Sequence, residues 1–159
     1  MKELPVRKGV RLKGHDYASA GYYFVTFCVK DKHELLGQIV GAIDPDRPPA
    51  VELTPLGECI EASIQMVDRD RVRVDKYVIM PNHVHCIIVI SPQAGDRGRS
   101  PLHYIVRSIK SYATKKFGYS IWQKSYHDRI IRNEADYHRV CQYIDQNPAK
   151  WTEDEYYTK

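Results

Sequence analysis

Residues 21–29, GYYFVTFCV, are aromatic or β-branched almost throughout and apolar on both alternating faces. A strand with two apolar faces must be covered on both, so this segment belongs in the middle of a sheet. A second run, residues 83–90 (HVHCIIVI), is strand-like too, but its faces differ. Period-two alternation puts His83, His85, Ile87 and Val89 on one side and Val84, Cys86, Ile88 and Ile90 on the other. The wholly apolar side is the one that helices should cover. Residues 74–80 form another strand-like run, and Pro81-Asn82 between the two has turn character, so they are expected to make a hairpin.

Three helices are expected around these strands. Thr54 can cap the first, with Pro55 in its first turn and Leu56, Cys59, Ile60, Ile64 and Val67 forming one apolar face. Ser100 as cap, Pro101 as first residue and Gly118 past the end bracket the second, whose stripe is Leu102, Ile105, Val106, Ile109 and Ala113. Its other side carries Arg107, Lys110, Lys115 and Lys116. Asn133 can cap a last helix that ends before Pro148, with Tyr137, Val140, Cys141 and Ile144 as its core stripe. Residues 41–50 (GAIDPDRPPA) and 93–100 (QAGDRGRS) read as loops, and a short strand is expected near Ile121 and Trp122. The order strand, helix, strand, strand, helix, strand, helix predicts an α+β sandwich, ferredoxin-like or RRM-like, with an antiparallel sheet and helices packed on one face. The other face is then open for a site.

With 159 residues, 43% of them hydrophobic, one domain spanning 1–159 is expected, with residues 1–14 as a basic arm. The surplus of 24 Lys plus Arg over 20 Asp plus Glu permits contact with a polyanion without demanding it. Cys28, Cys59, Cys86 and Cys141 are dispersed in apolar stretches, which argues for reduced thiols, a cytoplasmic location and no disulfide framework. Residues 1–14 lack an apolar signal core, and no apolar run is long enough to cross a bilayer.

His83 and His85 are the sharpest chemical signal, because residues i and i+2 of a strand project two imidazoles the same way, close enough to share one metal ion. Two histidines on a half-exposed strand face remain the plain alternative. Tyr143 and Asn147 lie one helical turn apart on the flank of the last helix's core stripe. They suit a nucleophile and an oxygen ligand, and equally a packing tyrosine and a helix-ending asparagine.

VIMPNHVHCIIVI, taken with IWQKSYHDRIIRNEADYHRVCQYIDQNP, resembles the single-tyrosine transposases that carry a histidine–hydrophobe–histidine motif, in particular the REP-associated tyrosine transposases of bacteria. The similarity extends from RLKGHDYASAGYYFVTFCV to about Trp151. It implies His83 and His85 as metal ligands, Asn147 as the third ligand, and Tyr143 as the nucleophile. The implied reaction is cleavage and rejoining of single-stranded DNA through a 5′-phosphotyrosine, with hairpin or palindromic DNA as partner and Mg²⁺ or Mn²⁺ as cofactor. The resemblance leaves a monomer and a homodimer both open. Arg107, Lys110, Lys115, Lys116, Arg129 and Arg132 are candidate phosphate contacts, and Trp122 and Tyr126 candidate stacking platforms. His127 and Asp128 are candidates to support the site, and Arg7, Lys8, Arg11 and Lys13 could reach a groove or hairpin. Two other readings use the same residues: a binding module that does not cut, and a phosphoesterase that activates water.

Overall fold

The computed structural model describes residues 20–41, 45–67, 71–91 and 101–158. The N-terminal arm with Arg7, Lys8, Arg11 and Lys13 and the whole 93–100 connection, with the Ser100 cap, lie outside the described residues. Four antiparallel strands make the main sheet: β1 (Gly21–Cys28), β4 (Val72–Ile79), β5 (His83–Ile90) and β6 (His127–Ile131). Their spatial order is β4-β5-β1-β6, so β1 is central, paired with β5 on one side and β6 on the other. Counting these four alone, the order is second, third, first, fourth, which is the ferredoxin-like arrangement. The α+β class and the antiparallel sheet therefore stand as expected.

The apolar face of the sheet is closed by α1 (Pro55–Gln65) and α2 (Pro101–Phe117). Tyr23, Val25 and Phe27 of β1 and Val84, Cys86, Ile88 and Ile90 of β5 join Ile60 and Ile64 of α1 and Leu102, Ile105, Val106 and Ile109 of α2 in one buried cluster. Burying such residues contributes about 1.5–3 kcal/mol per large side chain, which is what holds the helices to the sheet. Both helix boundaries follow local chemistry. Thr54 accepts a hydrogen bond from the Gly57 backbone N–H at 3.2 Å, while Gly118, at φ +81°, ends α2 by donating to Thr114 O at 2.9 Å.

The third helix, α3 (Glu134–Gln146), lies on the opposite face. Its Val140 and Ile144, with Tyr137 and Cys141 beside them, pack on Phe24, Ile87, Val89 and Ile131. The side of β5 that carries the histidines is thus divided: an apolar end under α3, and a polar end at His83 and His85. Asn133 caps α3 through its side-chain oxygen, which accepts from Asp136 N at 2.8 Å. Asp136 in turn takes a two-pronged ion pair from Arg129, at 2.9 and 3.2 Å, and that guanidinium holds its carboxyl below the usual carboxylate range. The start of α3 is therefore fixed to β6.

Three features differ from the sequence expectation. The pattern predicts helices on one face, but α3 covers part of the other because its Val140 and Ile144 are buried against Ile87 and Val89. A two-stranded ribbon, β2 (Gly37–Val40) with β3 (Ala50–Leu53), flanks the loop between them. These four-residue strands are too short to show a period. The last sheet strand is β6 within the polar stretch after Tyr126, whereas Trp122 makes only an isolated bridge to Val29. Pairing with β1 imposes the extended form on HDRII, a tertiary effect that overrides weak local preference.

The first turn of α1, packed against the backbone just before β2, demands a glycine. A Cβ added at Gly57 would come 2.0 Å from the backbone oxygen of Leu36, which itself accepts a hydrogen bond from Thr54 N at 3.0 Å. Backbone cannot yield as a side chain can. Gly57→Ala is therefore expected to destabilise the fold by about 3 kcal/mol, with a melting temperature lower by roughly 6–12 °C. A variant melting within a degree of the parent would show that α1 can slide on the ribbon.

Candidate active site

β5 is buried along its whole length, and the site forms where its two polar side chains face the end of α3. His83 pairs across the sheet with Cys28, and His85 with Thr26. The two rings project from the same side, as alternation requires, and their Nε2 atoms stand 3.0 Å apart. Each ring is held from behind. His83 Nδ1 lies 2.8 Å from Asn82 Oδ1, and His85 Nδ1 lies 2.6 Å from the Thr26 hydroxyl. Burial drives both imidazoles toward the neutral form: His83 is held well below its ordinary value, and His85 is pushed down to about 3. Neutral imidazoles with facing nitrogens are the protonation state that metal ligation requires.

α3 brings Tyr143 and Asn147 to the same place, since residues four apart share a helix face. The Tyr143 hydroxyl lies 3.5 Å from His85 Nε2, its ring set edge-on to His85 and to Phe24. Tyr143 is 42% exposed, so the phenol borders both the histidine pair and open solvent. Burial, then the charge of Asp154, raises its pKa, while the Asn147 amide lowers it. Asn147 is itself buried, at the C-terminal end of the helix beside His83 and Tyr143. Its Oδ1 has no hydrogen-bond partner among the described residues. A buried oxygen left unpaired next to two imidazole nitrogens is a costly arrangement for a purely structural residue, and a suitable one for a cation's ligand.

The segment after α3 adds groups that the sequence reading missed. Trp151, Asp154 and Tyr156 fold back over the histidines. A carboxylate oxygen of Asp154 and one ring nitrogen each of His83 and His85 lie within 4.8 Å of one another. Tyr156 stacks on His83 with ring centroids 4.4 Å apart, and its backbone N–H donates to Asp154 Oδ1 at 2.8 Å. The chain here (WTEDEYYTK) has neither helical nor strand periodicity, so nothing local marks it as part of a site. A cleft of about 470 Å³ opens beside these groups, lined in part by His85, Tyr143, Arg129, His127, Lys32 and Tyr156.

The cationic candidates divide between faces. Arg129 reaches the cleft, although its guanidinium is engaged by Asp136 and lies over the Phe24 ring. Arg107, Lys110 and Lys115 line a separate groove of about 540 Å³ beside α2, beyond the sheet from the histidines. Within that groove Lys110 Nζ donates to the Gln123 and Ser125 carbonyls, which anchors the loop before β6. Lys116 is exposed nearby, and Arg132 borders a third cleft with Tyr22 and Tyr137. Trp122 is buried against Phe27 and donates Nε1–H to Lys110 O, so it packs in the core. Tyr126 pairs with His103, and Asp128 is buried within β6. Cys28, Cys59, Cys86 and Cys141 are all free thiols, and no helix among the described residues is long and apolar enough to cross a membrane.

Comparison with known proteins adds three findings. The chain is 33% identical over 174 residues to an uncharacterised protein of Haemophilus influenzae, covering 95% of this chain and 93% of that one. It is 34% identical over 100 residues to the REP-associated tyrosine transposase of Escherichia coli K12, an overlap of 62% of this chain and 58% of the relative. The chain thus spans just over half the length of that relative. Among solved structures it is similar, with a TM-score of 0.64 and 26% identity over 86% of this chain and 72% of the other, to a REP-associated tyrosine transposase bound to a REP hairpin. No protein-family model matches the sequence.

Proposed function

We propose that the chain, which is similar to REP-associated tyrosine transposases in sequence and fold, acts as one of them: that it cleaves and rejoins single-stranded DNA, with Tyr143 as the nucleophile and a divalent cation held by His83, His85 and Asn147. One observation carries this reading: a half-exposed phenol stands 3.5 Å from an imidazole nitrogen that itself faces a second imidazole nitrogen at 3.0 Å. The donor set fits a metal, because both ring nitrogens are neutral and the Asn147 oxygen is unpaired. Asp154 offers a further oxygen on the same side. Two imidazoles with amide or carboxylate oxygen suit Mn²⁺ as well as Mg²⁺. Bound there, the cation would supply Lewis-acid stabilisation of charge that develops on the scissile phosphate.

The protein's own groups do the rest. Tyr143 O attacks phosphorus and gives up its proton to solvent through the open cleft, the P–O3′ bond breaks, and the departing 3′ oxygen takes up a proton from solvent. The products are a 5′-phosphotyrosine and a free 3′-OH. Attack of a 3′-OH on that phosphotyrosine reverses the exchange and releases the phenol, so bond energy is conserved and no nucleotide is consumed. Phe24 and His85 hold the phenol ring in place from two sides. Arg129 at the cleft wall is the phosphate contact nearest Tyr143, and Arg132 borders the cleft beside it; Arg107, Lys115 and Lys116 on α2 would be reached only by DNA that passes round to the far side of the sheet, and Lys110 is committed to the Gln123 and Ser125 carbonyls. A hairpin is the proposed substrate because the solved relative is bound to one.

Covalent trapping tests this. The protein incubated with labelled single-stranded hairpin DNA and Mn²⁺ should yield a protein-linked band on a denaturing gel, lost when EDTA is present. Tight binding without any such band would point instead to a module that holds single strands and leaves them intact.

A further inference from the structure

We propose that Asn82 is a positioning residue that fixes His83 in the tautomer able to ligate a metal and, with the same amide, ties the C-terminal segment over the site. The inference deepens the metal reading above and rests on it.

Asn82 is 1% exposed and belongs to the turn between β4 and β5, where a polar side chain would ordinarily face water. Its amide is instead fully used. One end lies 3.2 Å from the carbonyl oxygen of Lys32 and 2.7 Å from that of Tyr156. Carbonyl oxygens only accept, so that end is the NH₂ group, and both of its hydrogens are committed. The other end, 2.8 Å from His83 Nδ1, is then Oδ1, which can only accept. His83 Nδ1 must therefore carry the proton. The ring is fully buried, and with Nδ1–H committed to Asn82 its Nε2 is the lone pair left facing His85 Nε2, 3.0 Å away. A histidine whose other nitrogen donates to a fixed oxygen is the arrangement that orients metal ligands and raises their basicity.

His85 lacks an equivalent lock. Its Nδ1 partner is the Thr26 hydroxyl, which can donate or accept, so without a cation His85 carries its proton on Nε2, facing the bare His83 Nε2, and Thr26 lets that proton move to Nδ1 when a cation takes the Nε2 position. Asn82 is thus what makes the pair asymmetric: one imidazole preset, one adaptable. The bond to Tyr156 O adds a mechanical link, because Tyr156 N holds Asp154 Oδ1, and Asp154 is the carboxylate that sits with the two histidines. A single buried amide therefore sets both the nitrogen and the oxygen side of the site. The bonds to Lys32 O and Tyr156 O join three stretches far apart in sequence, so local patterning says nothing of this role.

Three readouts on chelated and Mn²⁺-titrated protein test it. Histidine-ring ¹⁵N correlation spectra of the chelated wild type should show His83 protonated on Nδ1 and bare on Nε2. Asn82→Ala should lose that single tautomer, bind Mn²⁺ about 10–100-fold more weakly by calorimetry, and exchange amide hydrogens faster at residues 154–156. Asn82→Asp can still accept from Nδ1–H but cannot donate to the two carbonyls. It should keep the tautomer and hold Mn²⁺ within about threefold of wild type while the segment loosens as in the alanine variant. His83 protonated on Nε2 in the wild type overturns the proposal, as does wild-type Mn²⁺ affinity in Asn82→Ala or an equal affinity loss in both variants. A wild type that takes up no Mn²⁺ overturns the metal reading itself, an outcome kept separate because the ring spectrum reports Asn82 with no metal added.

Discussion

Tyr143→Phe should give no protein-linked DNA at all, and strand cleavage lower by on the order of 10³-fold or more, while the protein folds and binds hairpin DNA as before. The substitution deletes one oxygen. The ring that Tyr143 sets against Phe24 at 6.0 Å and His85 at 5.2 Å is retained, so the packing of α3 on the sheet is unchanged. The hydroxyl's contact with buried His85 Nε2 is long, 3.5 Å, and that nitrogen also faces His83 Nε2, so stability should fall by no more than about 1 kcal/mol. Tyr156 also sits on the histidines, and it is the natural candidate for substitute chemistry. Burial raises its pKa far more strongly than that of Tyr143, which makes it a poor nucleophile. A covalent band that survives in Tyr143→Phe and vanishes in Tyr156→Phe would move the nucleophile to the C-terminal segment. Cleavage that persists with no covalent band would mean that water attacks, and the protein would be a hydrolase.

Acid should unfold the chelated protein in a pH range where most folds are unaffected. His83 and His85 are neutral in the folded state because burial depresses their pKa values, His85 to about 3, whereas in the unfolded chain each titrates near 6.5. Above pH 6.5 both states carry neutral rings and the pair leaves stability unchanged. Below it the unfolded chain takes up protons that the folded state refuses, so stability falls as pH drops from about 6.5 toward the folded-state values. Each ring costs up to about 1.4 kcal/mol per pH unit once the pH is well below 6.5, so between pH 6.5 and 5 the two together remove roughly 3 kcal/mol. Urea midpoints measured with EDTA at pH 7.5, 6.5, 5.5 and 5.0 should be level across the first interval and then decline. His85→Leu should roughly halve the decline. A midpoint unchanged down to pH 5 would mean that solvent reaches the rings and that the site is open from beneath α3.

Much of the fold can be read from local pattern. Residues 21–29 had to be a central strand because both faces are apolar, and the alternation along β5 separates the histidine side from the side that α1 and α2 cover. Thr54, Pro55, Gly118 and Asn133 mark helix ends through chemistry that acts within four residues. The ribbon of β2 and β3 and the position of β6 were not legible in this way. Short or polar strands acquire their form from the partner to which they pair, and the partner is remote in sequence.

The site divides along the same line. By itself the sequence determined that His83 and His85 share a direction, because a strand's side chains repeat every two residues, and that Tyr143 and Asn147 share a helix face, because a helix repeats every 3.6. Whether those two faces meet depends on which side of the sheet α3 takes, and that is decided by the burial of Val140 and Ile144 against Phe24, Ile87 and Val89. The same burial strips water from the imidazoles and sets their neutral state. Asp154, Tyr156, Thr26 and the double use of the Asn82 amide belong wholly to the tertiary structure: no periodicity connects residues 50 or more positions apart, and only the closed fold brings their polar atoms within hydrogen-bonding distance.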